Sequence, residues 1–252
     1  MKVSVISRWY NEEFFAPFFL NHYSPWVDEI IILLEKATND KSEEIISRYP
    51  KVRVEYTDTG KLLNDRLLSN LLSDKLEELD SDWVIRADAD EFLFPEAPYN
   101  YRDLHECREA LVIADGNLIN NWYHWVYRHE TDTDLDPTLP TVEQRRHGGK
   151  YTIWPGMGSR YLKPSIVKPG IGIRWIAGDQ RIEPNSKIVL SSTIFNGAHW
   201  QTADAEEWAR RNHKNESRLS EENIKNNWGV KNFTREMIFA ECDSHLKDPL
   251  VI

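Results

Sequence analysis

Short apolar, β-branched runs alternate with stretches of helical period through the first part of this chain. The runs Lys2–Ser7, Glu29–Leu34, Val52–Tyr56 and Trp83–Ala87 predict strands, each compact and bounded by polar or turn-forming residues. Between them, Glu12–Tyr23 is apolar and aromatic, and Pro17 is tolerated if it falls in a first helical turn. Asp40–Tyr49 opens on Asp40 with Glu43 three residues later, the pattern of a capping box. From Asn64 to Leu79, the residues Leu67, Leu68, Leu71, Leu72, Leu76 and Leu79 recur at helical spacing, so one face should bury against a sheet. Strands alternating with helices in this way predict βαβ units, a parallel sheet and a Rossmann-like first half.

Past Phe94 the pattern changes, because Pro95 and Pro98 interrupt it. Ala110–Ala114 and Leu118–Tyr127 follow without a helical stretch between them and predict antiparallel or mixed-sheet strands. Glu130–Lys150 is polar, with Pro137, Pro140 and the basic run 145–150, and predicts a long functional loop. Strand-like pieces return at Ser159–Val167, Ile171–Ile176 and Lys187–Phe195, and polar helices run from Asp204 onward. The expectation is one α/β domain over residues 1–200, with a helical C-terminal extension, 201–252, packed on it.

Charge and composition narrow the classes. With 31 Lys and Arg against 41 Asp and Glu, the net charge of −10 argues against a protein that coats nucleic-acid phosphates. Cys107 and Cys242 are too few for a disulfide framework and lie in no metal-ligand spacing, which suits a reducing compartment. The opening MKVSVISRWY lacks the apolar run of a signal peptide, and no stretch approaches the roughly 20 apolar residues of a membrane span. A soluble, cytoplasmic protein is expected, with peripheral membrane association left open. Ten tryptophans, several between Trp122 and Trp154, fit either core packing or stacking on sugars.

The segment Trp83–Phe94 carries the chemistry. An extended backbone sends residues i and i+2 to one side, so Asp88 and Asp90 should converge, with small Ala87 and Ala89 leaving room. Two such carboxylates suit Mg²⁺ or Mn²⁺, which one or two carboxylates hold together with substrate phosphate oxygens. The carboxyl ends of parallel strands are also where open α/β sheets bind ligands. Three other Asp-x-Asp spacings, Asp80/Asp82, Asp132/Asp134 and Asp134/Asp136, lie in polar turns and read as solvated loops. Only Asp88/Asp90 is framed by apolar runs on both sides.

The fragments Val3–Glu12, Asp82–Leu93 and Gly197–Trp200 resemble the family 2 type glycosyltransferases with a GT-A fold, most closely up to Phe94. The resemblance implies a mixed, mainly parallel sheet flanked by helices. It also implies metal-dependent transfer of a sugar from a nucleoside diphosphate sugar, UDP-sugar favoured, to a hydroxyl of a glycan or other acceptor, with inversion. By resemblance, Arg8, Asn11 and Glu12 hold the base and ribose of the donor. Asp88 contacts the nucleotide sugar and, with Asp90 and His199, holds Mn²⁺ or Mg²⁺; His199 reads equally as a hydrogen-bonded structural histidine. Asn11 also reads as a helix N-cap. Glu35 stands where the family places a base-reading aspartate, in a turn without the usual glycine; a carboxylate there still accepts from a base N–H or ribose hydroxyl, and the base stays open. Asp179 is the candidate general base, although the family's usual Glu-Asp pair is absent. Lys163, Lys168 and the 145–150 run read as a lid over the diphosphate or as solvated cations.

Two rival readings remain. A nucleotidyltransferase making sugar nucleotides would carry a glycine-rich loop after the first strand, where bulky Arg8-Trp9-Tyr10 stands. A non-catalytic carbohydrate-binding or scaffold protein is the other, and the paired carboxylates favour an enzyme over it.

Overall fold

The computed structural model describes residues 1–95, 103–128, 131–145, 147–150, 162–179, 181–229 and 236–237. Four parallel strands open the chain: β1 (Val3–Trp9), β2 (Glu29–Glu35), β3 (Val52–Thr57) and β4 (Trp83–Arg86). Then come β5 (Glu91–Pro95), β6 (Leu118–Tyr127), β7 (His147–Lys150), β8 (Leu162–Val167) and β9 (Phe195–His199). All join one sheet in the order β3-β2-β1-β4-β8-β6-β9-β5, with β7 paired to β6. Beyond β4 the directions mix, since β8 is antiparallel to β4 and β6, and β9 runs parallel to β6 and antiparallel to β5. This is the mixed Rossmann-like sheet of the GT-A expectation. Its strand order reverses between β1 and β4, which opens a crevice at the carboxyl ends there.

β2 shows why the sheet forms. Ile30, Ile32 and Leu34 enter one buried cluster while Ile31 and Leu33 enter another on the opposite face. A central parallel strand must be apolar on both sides, and full burial of each aliphatic side chain contributes about 1.5–3 kcal/mol. On the first face lies α1 (Ala16–Tyr23), with Pro17 in its first turn and Phe18, Phe19 and Tyr23 in the core. On the other, α3 (Asp65–Glu78) packs Leu72 and Leu76 against Ile6 and Ile31. Asn64 caps α3 by accepting from the Leu67 N–H.

Several local expectations give way. The capping box does not form: α2 (Ser42–Ile46) follows Lys41, and the Asp40 carboxylate instead accepts from the N–H groups of Glu13 and Ser42. Residues 110–113, expected in a strand, belong to the helix α4 (Glu106–Ile113). There Cys107, Ala110 and Leu111 share one buried face, and the short apolar run is only the visible part of a helical period. The expected loop contains α5 (Thr141–Gln144) and β7. Ile171–Ile176 forms no strand, only a bridge from Trp175 to Ile182, and of 187–195 only Phe195 joins β9.

After β9 a 3₁₀ turn (Trp200–Thr202) leads into α6 (Ala205–Glu216), capped by Asp204, and α7 (Glu221–Lys225), capped by Ser220. The α6–α7 segment folds back onto the start of α3. Buried Asn223 accepts from the Asp65 N–H and donates to the Asp65 carboxylate, and Leu63 bridges to Leu219. Among the described residues, no helix is long and apolar enough to cross a membrane.

Candidate functional site

A cavity of about 690 Å³ lies at the carboxyl ends of β1 to β4. Its floor is built by Arg8 near the end of β1, Tyr10 and Glu12 after it, Glu35 at the end of β2, Thr57 at the end of β3, Thr59 after it, and Asp88 and Asp90 after β4. Its roof comes from Arg211, Asn212 and Asn215 of α6, with Arg218 and Trp228 beyond it. Four buried side-chain atoms on these walls lack a partner: Arg8 Nη1, Glu35 Oε1, Arg211 Nε and Asn212 Nδ2. Each such atom costs about 1–3 kcal/mol when left unpaired, and buried polar atoms are nearly always paired. A wall holding four is therefore suited to a polar ligand. Because β1 separates β2 from β4, the Glu35 end and the Asp88–Asp90 end lie about two strand spacings, roughly 10 Å, apart in the sheet.

Charge is dense and largely paired. The buried Arg86 guanidinium reaches Asp88 Oδ1 at 2.7 Å, Asp179 Oδ2 at 2.7 Å and Glu91 Oε2 at 3.3 Å. Lys163, with no exposed surface, lies 2.6 Å from Glu91 Oε1 and 3.6 Å from Asp88 Oδ2. Arg8 Nη2 approaches Asp179 Oδ2 at 3.1 Å and Asp65 Oδ1 at 3.9 Å. From the roof, Lys214 Nζ donates to the carbonyls of Tyr10 and Asn11 and to Glu12 Oε1. Arg218 covers the Tyr10 ring, 3.5 Å from its centroid.

These surroundings set the proton affinities. Burial alone would raise Asp88, but the charges of Arg86, Lys163 and Arg8 outweigh it and hold the carboxyl well below the usual range. Asp90 follows the same logic, with burial overcome by Arg211 and His199. Asp65 goes the other way: burial, helped by Asp179, raises it despite Arg8.

The residues that would hold a divalent ion are a pair. Asp90 Oδ2 and His199 Nε2 lie 3.3 Å apart at the cavity wall, an oxygen and a nitrogen donor side by side. Among the described residues no group of three His, Cys, Asp or Glu side chains forms a cage. The pair fits a hard cation whose remaining positions are filled by phosphate oxygens and water, and does not fit a site made of protein ligands alone.

The structure brings Arg8, Glu12, Glu35, Asp88, Asp90 and His199 to this cavity. Three expectations fail in detail. First, β4 ends at Arg86, and Asp88 and Asp90 sit in a turn closed by the Glu91 N–H on the Asp88 carbonyl at 3.0 Å, so strand alternation does not align them. Asp88's oxygens face Arg86 and Lys163, whereas Asp90 is the carboxylate beside His199. Second, Asn11 neither caps α1 nor lines the cavity. Its φ is 53°, and its amide pairs with Asn39, tying the loop after β1 to the loop after β2. Third, Asp179 has no exposed surface; Oδ1 accepts from the Ser69 hydroxyl and Oδ2 faces Arg86 and Arg8. A general base must reach the proton it removes, and this carboxylate is an ion-pair hub beneath the site.

Three cations of the expected lid are engaged elsewhere: Lys163 is buried in the ionic network, Lys168 lies over the Trp83 ring, and buried Arg145 donates to the Ala203 carbonyl. Arg146, Trp154 and Cys242 lie outside the described residues, as do the side chains of residues 147–150 and of Trp122 and Trp125. Sequence reasoning missed the roof. Arg211, Lys214 and Arg218 recur at i, i+3 and i+7, a basic stripe that reads in sequence as a solvated helix face.

No family model and no curated protein matches the chain. Solved structures of similar course include S. aureus TarS 1-349 in complex with UDP, with 13% identity and a TM-score of 0.45 over 98% of this chain and 70% of that one. Another is S. aureus TarS, with 13% identity and a TM-score of 0.46 over 97% of this chain and 43% of that one. A third is glucosyl-3-phosphoglycerate synthase from Mycobacterium tuberculosis in complex with Mg²⁺ and UDP, with 18% identity and a TM-score of 0.35 over 48% of this chain and 43% of that one.

Proposed function

We propose that this chain is a glycosyltransferase that moves a sugar from a nucleoside diphosphate sugar to a hydroxyl acceptor. The observation that carries the reading is the set of four partnerless buried polar atoms on one cavity at the reversal point of the strand order. Those near β2 and those near α6 differ in kind, which matches a ligand with a hydrogen-bonding base at one end and an anionic group at the other. Glu35, anchored through Oε2 by the Thr59 N–H and hydroxyl, offers Oε1 to a donor on the base. Arg8, Arg211 and Asn212 offer unsatisfied N–H groups beside Asp88 and Asp90, where a diphosphate would lie.

In this reading the chain's own groups hold the donor so that the acceptor oxygen approaches the anomeric carbon opposite the departing diphosphate. The new C–O bond forms as the old one breaks, the bonding pair leaves on the diphosphate, the hydroxyl proton passes to solvent, and the configuration inverts. Arg8 and Arg211 place positive charge beside the leaving group, and the roof limits water. A divalent ion at Asp90 and His199 would add charge stabilisation to the same diphosphate.

Titration calorimetry with UDP-, GDP- and CMP-sugars, with and without Mn²⁺, tests the proposal. One nucleotide sugar should bind more tightly with Mn²⁺ and turn over when supplied with a hydroxyl acceptor, and Asp90→Asn should remove the metal dependence. Sugar binding that ignores both nucleotide and metal, without turnover, would instead mark a carbohydrate-binding protein.

A further inference from the structure

Arg211 occupies the place where a cation on Asp90 would sit. Its Nη1 donates to Asp90 Oδ2, the same oxygen that faces His199 Nε2 at 3.3 Å, and its Nη2 lies 3.2 Å from Glu12 Oε2. The Phe15 ring supports the guanidinium, with its centroid 4.9 Å from Cζ. Unlike Arg86, whose side chain is walled in at 1% exposure, Arg211 reaches down from the roof with 14% exposed. It is also incompletely satisfied, because its Nε is buried and has no partner.

One guanidinium therefore shares its charge between two carboxylates and keeps an N–H in reserve. A divalent ion seeking Asp90 competes for a lone pair that Arg211 already holds, and two cations on one oxygen repel each other. Free metal thus meets a closed site. The conflict lifts when a diphosphate enters, since phosphate oxygens give Arg211 new acceptors for Nε and for the released Nη1, and supply the remaining positions around the ion.

We propose that Arg211 is a resident counter-ion that keeps Asp90 closed to free divalent metal and yields it when a diphosphate binds, so that metal and nucleotide enter as a coupled pair. The proposal rests on the reading of Asp90 and His199 as the metal donors. Its size follows from charge competition. A neighbouring cation lowers the proton affinity of a carboxylate by about ten- to a thousandfold, and a divalent ion competing for the same oxygen should feel at least the lower end, about tenfold.

The test is the signal of unbound Mn²⁺ in electron paramagnetic resonance, titrated against the full chain with and without UDP. Wild type should bind Mn²⁺ weakly alone and about tenfold more tightly with UDP. Arg211→Gln should bind Mn²⁺ alone about tenfold more tightly than wild type and lose most of the gain from UDP. Arg211→Lys keeps the charge but cannot span both carboxylates, so it should fall between them. It also decides the matter should the glutamine variant fail to fold. Asp90→Asn should bind Mn²⁺ in neither condition. Equal Mn²⁺ affinity in wild type and both Arg211 variants, with binding still abolished by Asp90→Asn, overturns the gating role and leaves the metal reading standing. Absence of Mn²⁺ binding in every protein, with UDP still bound, overturns both and makes Arg211 the permanent cation of the site.

Discussion

Glu35→Gln is the most direct probe of the nucleotide end of the cavity. The native carboxylate is 4% exposed; Oε2 accepts from the Thr59 N–H at 3.0 Å and the Thr59 hydroxyl at 2.7 Å, while Oε1 is buried without a partner. Glutamine is nearly isosteric. Its amide oxygen can keep both Thr59 bonds, and its NH₂ then points where Oε1 pointed. The free protein should change little, because an unpaired charged oxygen is exchanged for an unpaired neutral donor. The ligand complex should change a great deal, because a base N–H now meets another donor. A hydrogen bond to a charged acceptor contributes about 1.5–3 kcal/mol, so nucleotide affinity should fall about ten- to a hundredfold. Calorimetric titration of UDP and GDP into both proteins measures the loss, and urea unfolding measures the stability. Unchanged affinity for whichever nucleotide wild type binds would remove Glu35 from the site and with it the orientation assigned to the donor.

Three further outcomes follow from the ionic network and the roof. Asp179→Ala removes one of three carboxylates around Arg86 and the nearest one to Arg8, and should cost about 1.5–3 kcal/mol in urea unfolding, whereas a residue acting only as a base would lose turnover with little loss of stability. His22 is fully buried between Thr141 and the Leu93 carbonyl, and burial lowers its pKa from 6.5 to about 4. The unfolded chain therefore takes up a proton before the native state does, so this residue's contribution is complete above pH 6.5 and is lost towards pH 4, by about 3 kcal/mol. Urea midpoints of wild type minus His22→Gln across that window should show the slope, and a flat difference would refute the burial argument. Asn223→Ala unplugs the start of α3 and should speed amide exchange in residues 218–228 while leaving β1 and β2 protected.

The first half of the fold was legible because its signals are local. Ile30 to Leu34 could only be a strand buried on both faces, and the leucines from Leu68 to Leu76 could only be a helix seeking a sheet. The capping box misled because Asp40 met a competing partner, the Glu13 N–H, brought from a distant loop by tertiary contact. Residues 110–113 misled because four apolar residues fit either period. At the site, Asp88 and Asp90 were found for a reason that the backbone does not obey, since their carboxylates share the cavity through a turn. Glu35 and His199 rested on resemblance, and Asp179 failed because exposure is invisible in sequence. A carboxylate between Gly178 and Gln180 looks the same whether it faces solvent or two arginines.

The roof explains why the basic residues were hardest to read. A helix rich in Arg, Lys, Glu and Asn, such as α6, is ordinarily a solvated one, and nothing in its own sequence says that a face lies over a crevice. What fixes it there is long-range: Asn223 on the start of α3, Leu219 beside Leu63, and Lys214 on the carbonyls that end β1. Those contacts turn the open crevice at the strands' carboxyl ends into a partly covered cavity in which the protein walls strengthen each remaining charge. The same cover leaves Arg211 Nε and Asn212 Nδ2 buried without a protein partner. A roof that merely covered the sheet would have buried apolar groups there. This one buries donors, beside carboxylates whose own charges are already met by arginine and lysine, and that imbalance is what the proposed diphosphate would offset.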